Sequence, residues 1–376
     1  MDIVVDTHIY KLHPNGGICR IFNETLPRIC AQDKEIQFLM LHEALALNDS
    51  LPRHQQIRYS HYQQHLRSFA RHEWKNVLVD NLFSKVSQRL LRECGKNQIW
   101  HSTFYTQPQT WKGKRVVTVA DMISEKFQIF GKEFFPETQR KWMRNCVENA
   151  DAVLCISETT KQDLLEIYQT VDSKKVKVVH LSCGDSFYQM DEVNFSEELQ
   201  SIDIPYFMFI GHRDYYKNFK ILCEAFAKWN KRNDFMILAV GKPIQEGEEM
   251  YWNELGIKDR VKVFNGLDDE KVCQLYNKAT AFVYPSLYEG FGIPLLEAMH
   301  CGCPIIASDI PSTREIAEDC PVYFSPHSSE ELIDAFEKVI TEGKDSARLK
   351  KGSQRKSNFS WDRTAKETLE VYKSLA

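Results

Sequence analysis

The chain has 376 residues, of which 43% are hydrophobic and 27% charged, and it carries a net charge of -4. That length suits about two domains, the shares of hydrophobic and charged residues are those of an ordinary globular protein, and the acidic balance argues against general nucleic-acid binding. No apolar run approaches the ~18 residues of a membrane span, and the opening Met-Asp-Ile-Val-Val reads as strand rather than signal peptide. Eleven cysteines, odd in number and without a Cys-x-x-Cys pair, fit buried thiols in a reducing cytosol. Cys301-x-Cys303 reads as packing rather than a metal site.

In chain order, Asp2 to Asp6 is a short strand, and Leu12 to Gly17 a loop leading into a helix at Ile18. Gly16-Gly17 at a strand-to-helix turn lets backbone come close to a ligand, although a plain tight turn uses the same pair. Residues 53–75 hold Arg53, Arg58, Arg67, Arg71 and Lys75 against one acid, Glu73. Tyr62, Leu66 and Phe69 at helical spacing make the stretch an amphipathic helix with a basic face, either solvated or in peripheral contact with an anionic membrane surface or a phosphorylated acceptor.

Gln98-Ile99-Trp100 reads as a strand with His101 emerging at its carboxyl edge, where open parallel sheets bind ligands. His101 is therefore a candidate acceptor-site residue, or a loop residue held by hydrogen bonds. Lys114 to Asp121 is a second such strand and exit, with Asp121 a candidate for orienting an acceptor or for capping the next turn. Asp151 to Lys161 reads as strand, Ser157 cap and helix, and Val176 to Leu181 as the last strand of this half. The polar stretch from Gln189 to Ser201 then marks a domain boundary.

The second half opens with the strand Tyr206 to Ile210, followed by Gly211-His212-Arg213 and Tyr216-Lys217-Asn218 before a helix. Two cations at a strand exit, beside a helix N-terminus, suit a diphosphate. Met236 to Val240 and Val261 to Phe264 are further strands, and backbone near Phe264 and Gly266 is placed to hold a nucleobase edge. The strand Ala281 to Tyr284 leads into Pro-Ser-Leu-Tyr-Glu-Gly-Phe-Gly-Ile-Pro-Leu-Leu-Glu-Ala-Met. Pro294 suits the first position of a helix ending near Cys301, and Gly302 suits its C′ position. The amides of Gly290, Phe291 and Gly292 then lie at a helix N-terminus, a seat for phosphate. Glu289 and Glu297 beside an anion seat need a reason to be there, and a sugar nucleotide supplies one. Its sugar and ribose hydroxyls donate to the two carboxylates while its diphosphate rests on the amides.

This stretch resembles the Glu-x7-Glu motif of retaining glycosyltransferases of family 4, in which the first Glu meets the donor sugar and the second the ribose. The resemblance implies that a Gly-Gly-Ile loop, here Gly16, Gly17 and Ile18, faces the donor phosphates, and that Arg213 and Lys217 clamp them. Two departures stand out. The family's Arg commonly follows the glycine directly, where this chain has His212, and the family often has a donor-contacting His before the Asp, where this chain has Ala120.

Alternating strands and helices indicate an α/β protein of two doubly wound, Rossmann-like domains facing across a cleft, the GT-B architecture. The expected domains are 1–188, with a final helix over about 361–376 packing back on the first, and 203–360 for donor binding. The sequence lacks Asp-x-Asp, so the expected chemistry is metal-independent, retaining transfer from a nucleotide diphosphate sugar to a glycan or lipid-linked acceptor, with no cofactor. A sugar-nucleotide epimerase, a phosphorylase carrying lysine-bound pyridoxal phosphate, and a non-catalytic sugar-nucleotide-binding subunit are the rival readings. Donor turnover without acceptor, pyridoxal absorbance, and binding without turnover would respectively mark them.

Overall fold

The computed structural model describes residues 1–12, 16–41, 51–59, 98–108, 111–127, 137–213, 215–344 and 346–376. They form two compact units, one of residues 1–181 and 360–376, the other of residues 182–359. The stretch 189–201, expected to divide the chain, belongs to the second unit, and the division falls just after Leu181. Short hydrogen bonds hold it there: Asn277 Oδ1 accepts from the Met190 amide at 2.8 Å, and Gln274 Oε1 from the Ser196 amide at 3.1 Å.

In the first unit, strands β1 (Asp2–Asp6), β2 (Gln37–Leu41), β3 (Ile57–Tyr59), β4 (Ile99–Ser102), β5 (Lys114–Val119), β6 (Ala152–Cys155) and β7 (Val176–Val178) form a parallel sheet. Their order is β3-β2-β1-β4-β5-β6-β7. Chain direction across the sheet reverses between β1 and β4, the topological switch point of a doubly wound fold. Near-continuous apolar strands such as Ile3-Val4-Val5 and Ala152-Val153-Leu154-Cys155 are buried throughout, as a sheet covered on both faces requires. Helices α1 (His8–Leu12), α2 (Gly17–Gln32), α3 (Ile123–Lys126), α4 (Glu137–Asn149) and α5 (Glu158–Ile167) follow the strands. Ser157 caps α5 by accepting from the Thr160 amide at 2.9 Å.

Three local expectations are corrected in this unit. Leu12 ends a short helix rather than opening a loop. Residues 57–59 are not helical, because Phe38, Leu39 and Met40 of β2 pair with Ile57, Arg58 and Tyr59; the remainder of the basic stretch, including Arg67, Arg71 and Lys75, lies outside the described residues. His101 belongs to β4 rather than its exit. Its ring is buried and hydrogen-bonded at Nδ1 to the Tyr372 hydroxyl and at Nε2 to Thr118 Oγ1. It thereby ties the terminal helix to the sheet and has no access to an acceptor.

Burial pushes the His101 imidazole down from its ordinary value near 6.5 to about 3. Between these values the unfolded chain carries the extra proton, so this contribution to stability is complete above pH 6.5 and lost as pH falls toward 3. The full effect is on the order of 5 kcal/mol. The melting temperature of the wild type should therefore fall more steeply from pH 6.5 to 4 than that of His101→Gln, as followed by circular dichroism.

The second unit contains β8 (Tyr206–Ile210), β9 (Met236–Val240), β10 (Val261–Phe264), β11 (Ala281–Tyr284), β12 (Ile305–Ser308) and β13 (Val322–Phe324), in the order β10-β9-β8-β11-β12-β13. Its helices are α6 (Phe219–Lys228), α7 (Glu248–Glu254), α8 (Asp269–Lys278), α9 (Ile293–His300), α10 (Pro311–Ala317), α11 (Ser329–Glu342) and α12 (Ala347–Arg355). The switch point here lies between β8 and β11, the two strands whose exits carry Lys217 and Glu289. Phe207, Trp229 and Phe336 pack ring against ring at 4.4–5.7 Å under α6 and α11, a rigid base for those exits. Helix α13 (Trp361–Leu375), capped by Ser360, joins the first unit and packs on α2. Among the described residues no helix is long and apolar enough to cross a membrane, and the ten described cysteines are buried free thiols.

Candidate donor site

The exits of β8, β9 and β10 are stitched together by backbone. The Gly211 amide donates to Val240 O and the Gly241 amide to Phe264 O, both at 2.9 Å. A Cβ at Gly241 would meet Gly211 O at 2.2 Å, so only glycine lets the two exits lie this close. Phe264 is buried, with Lys262 Nζ 5.4 Å from the centre of its ring, and its carbonyl is already used by Gly241. Gly266 takes φ +69°, turning the chain at the β10 exit.

Lys217 ends a 3-10 turn over Tyr215–Lys217. The next residue, Asn218, adopts φ +55° and donates its side-chain amide to Pro285 O at 3.0 Å and Pro326 O at 2.9 Å. The Leu287 amide donates to Tyr216 O at 2.7 Å. These bonds fix the loop after β8 against the loop after β11, which is how residues 72 positions apart come into contact. Lys217 Nζ donates to Glu289 Oε1 at 2.7 Å, and the two side chains are 15% and 9% exposed. Ser286 Oγ donates to the same oxygen at 2.5 Å. Burial and then the Glu289 carboxylate hold the Tyr284 phenol well above its ordinary pKa, so it stays protonated. Nζ lies 5.3 and 5.6 Å from the ring centres of Tyr216 and Tyr284, a further restraint on the ammonium.

Pairing of Glu289 with Lys217 answers the charge problem of a carboxylate beside an anion seat. Helix α9 begins at Ile293, one residue earlier than expected, because Gly292 takes φ +110° and turns the chain into the helix there. Gly302 takes φ +63° beyond its C-terminus. Glu297 accordingly stands in the second turn rather than the first. It is 6% exposed, and its Oε2 accepts from the Tyr276 hydroxyl at 3.1 Å. Gly290 and Phe291 lie in the loop between Glu289 and this helix, with Phe291 buried edge-on against Phe359 at 5.9 Å.

Arg213 does not join this constellation, contrary to the expectation of a second phosphate clamp. Its side chain is 2% exposed. Nε and Nη2 hold the Glu248 carboxylate at 2.9 and 2.7 Å, while Nη1 and Nη2 donate to Lys242 O and Pro243 O at 2.8 Å. Four N–H bonds commit the guanidinium to pinning the loop after β9 to the start of α7. Arg213→Ala should therefore lower the melting temperature by several degrees while the kcat/KM of the folded fraction stays within about tenfold, since it removes four hydrogen bonds and leaves the half-buried Glu248 carboxylate partly unpaired. Calorimetry with active-site titration separates the two effects.

In the first unit, Gly16 caps α2 with φ -80°, a conformation open to other residues, and a Cβ at exposed Gly17 would meet nothing within 4 Å. The fold of that unit gives no conformational reason for either glycine. Ile18 is half-buried in the first turn. Asp121 Oδ1 accepts from the Ile123 amide at 3.0 Å and so caps the turn into α3. Ala120, at the exit of β5, is buried. Asp6 was not anticipated: at the switch point it accepts from the Thr103 amide and hydroxyl and from Thr106 Oγ1, joining the exits of β1 and β4. Among the described residues, no group of three or more His, Cys, Asp or Glu is arranged to hold a metal ion.

Residues 192–356 match the family model described as glycosyl transferases group 1. The second unit is a glycosyl transferases group 1 domain. Along its whole length, the glycosyltransferase is 25% identical to the O-antigen chain mannosyltransferase B of Escherichia coli over 395 aligned residues, covering 100% of both chains. Its fold is GT-B. It is similar to sucrose-phosphate synthase from Thermosynechococcus elongatus (TM-score 0.78, 18% identity, 100% and 99% of the two chains covered). It is also similar to HepE of Anabaena, solved with UDP-glucose (TM-score 0.71, 17% identity, 100% of both chains covered). The family match thus falls on the unit that holds Lys217, Glu289 and Glu297.

Proposed function

We propose that this glycosyltransferase moves a sugar from a nucleoside diphosphate sugar to a glycan or lipid-linked hydroxyl in polysaccharide synthesis, with retention of anomeric configuration and without a metal ion. The carrying observation is the Lys217–Glu289 pair at the β8/β11 switch point, with Glu297 on the helix that follows. The name of the E. coli relative makes mannose the first sugar to try, and the HepE complex with UDP-glucose supports a nucleotide-sugar donor.

On this reading the diphosphate approaches the N-terminus of α9, whose dipole favours negative charge. Lys217 turns part of its donor capacity from Glu289 to the departing phosphate, and Glu289, still held by Ser286, accepts from a sugar hydroxyl. The bond between the anomeric carbon and the phosphate oxygen breaks as the acceptor oxygen bonds that carbon from the same face. The acceptor proton passes to the leaving phosphate oxygen, giving the nucleoside diphosphate and the elongated product. No protein base is required, which accommodates Ala120 at the position where the family often has His. With Arg213 committed elsewhere, charge neutralisation falls on Lys217 and the helix terminus.

A thermal-shift screen of nucleoside diphosphate sugars, GDP-mannose and UDP-sugars first, should show a concentration-dependent rise with one of them. Proton NMR of the product from that donor should show the donor's anomeric configuration, at a rate unchanged by EDTA. An inverted anomer, or activity abolished by EDTA and restored by magnesium, would overturn the corresponding part of the proposal.

A further inference from the structure

We infer that Tyr276 is a positioning residue for the donor nucleotide: its hydroxyl aims the Glu297 carboxylate at the ribose. This rests on the ribose-holding role of Glu297 proposed above. Tyr276 lies on the buried face of α8 with Val272, Cys273 and Leu275. Its ring is locked edge-on between Phe187 and Phe282, with centres 6.1 and 5.3 Å away. The hydroxyl reaches both Glu297 Oε2, at 3.1 Å, and Pro294 O, at 3.2 Å. One phenol thus touches the carboxylate and the first turn of the helix that carries it. Helix α8 also meets the residue that ends α9, the sulfurs of Cys273 and Cys301 being 3.7 Å apart. The phenol is therefore presented from a fixed neighbour rather than from a mobile side chain.

A glutamate has three side-chain torsions to order before it can hold a ligand. A donor fixed on one carboxylate oxygen sets the rotation of the group in advance, so that less ordering is left for the nucleotide to impose. Burial keeps the Tyr276 phenol protonated, with its pKa well above the ordinary value, so it remains a donor across the working pH range. Such preorganisation acts on specificity. A buried carboxylate aimed at a hydroxyl rejects the analogue that lacks it, because the acceptor is left without its partner. The expected ligand is accordingly a ribonucleoside diphosphate, discriminated from its deoxyribo counterpart.

The test measures Kd by calorimetry for UDP and GDP and for their 2′-deoxy and 3′-deoxy forms, in the wild type and in Tyr276→Phe. The wild type should bind one deoxy form of its preferred nucleotide at least thirtyfold more weakly than the ribo form. Tyr276→Phe should bind the ribo form about tenfold more weakly and compress that ratio to a few-fold, with kcat at saturating donor within twofold. Glu297→Gln, which leaves Tyr276 in place, should compress the ratio similarly, and the double variant should compress it no further. If Tyr276→Phe keeps the wild-type ratio, whatever its melting temperature, Tyr276 is a packing residue only. A wild type blind to both deoxy changes would instead overturn the ribose role of Glu297, and this inference with it.

Discussion

Lys217→Ala should lower kcat/KM by 100- to 1000-fold, on the order of 3 to 4 kcal/mol of transition-state stabilisation. Negative charge on the leaving diphosphate grows as the glycosidic bond breaks, so an ammonium beside it is worth more in the transition state than in the ground state. Most of the loss should therefore appear in kcat rather than KM. A second effect accompanies it. Glu289 is 9% exposed, and removing Lys217 leaves a nearly buried carboxylate without its cation, held by the Ser286 hydroxyl, which costs stability. Lys217→Met combined with Glu289→Gln removes that unpaired charge and should recover the melting temperature without recovering transfer. Near-normal kcat/KM in Lys217→Ala, or transfer restored by the double substitution, would exclude Lys217 from the chemistry.

Glu297→Ala should weaken transfer by about a hundredfold, on the order of 3 kcal/mol. The side chain is 6% exposed and bonded to Tyr276, and hydrogen bonds from hydroxyls to a carboxylate are the strong, charge-assisted kind. The ribose does not change during the reaction, so its contacts contribute nearly equally to substrate and transition state. The loss should accordingly sit mainly in KM for the donor, in contrast to Lys217→Ala. Steady-state kinetics with varied donor at saturating acceptor distinguishes the two patterns, and a kcat-only loss in Glu297→Ala would contradict the ribose assignment.

Much of the candidate donor site was legible in the sequence because it is local. The strand Ala281–Tyr284, the positive-φ glycines 292 and 302 and the two glutamates lie within 22 consecutive residues, and their geometry follows from backbone rules acting over a few positions. Boundaries slipped by a residue or so where those rules compete, as at Ile293, where Gly292 starts the helix ahead of Pro294. Residues with long polar side chains were the harder case. Arg213 sits at a strand exit beside a helix start, one position later than the family's clamp, and Glu248, 35 positions on, takes it with two bonds. His101 likewise follows an apolar strand start but is claimed by Tyr372, 271 positions away. Tyr276 could not have been singled out, since an aromatic on the apolar face of an amphipathic helix looks like core until its hydroxyl is seen to reach Glu297.

Periodicity and turn chemistry alone determined that this chain is α/β, with a glycine-marked helix start between two glutamates, since strand, helix and turn preferences are set by near neighbours. Which cation meets which carboxylate was decided by tertiary structure. A guanidinium or ammonium has several acceptors of nearly equal worth within reach, and only the packing of distant strand exits selects Glu248 for Arg213 and Glu289 for Lys217.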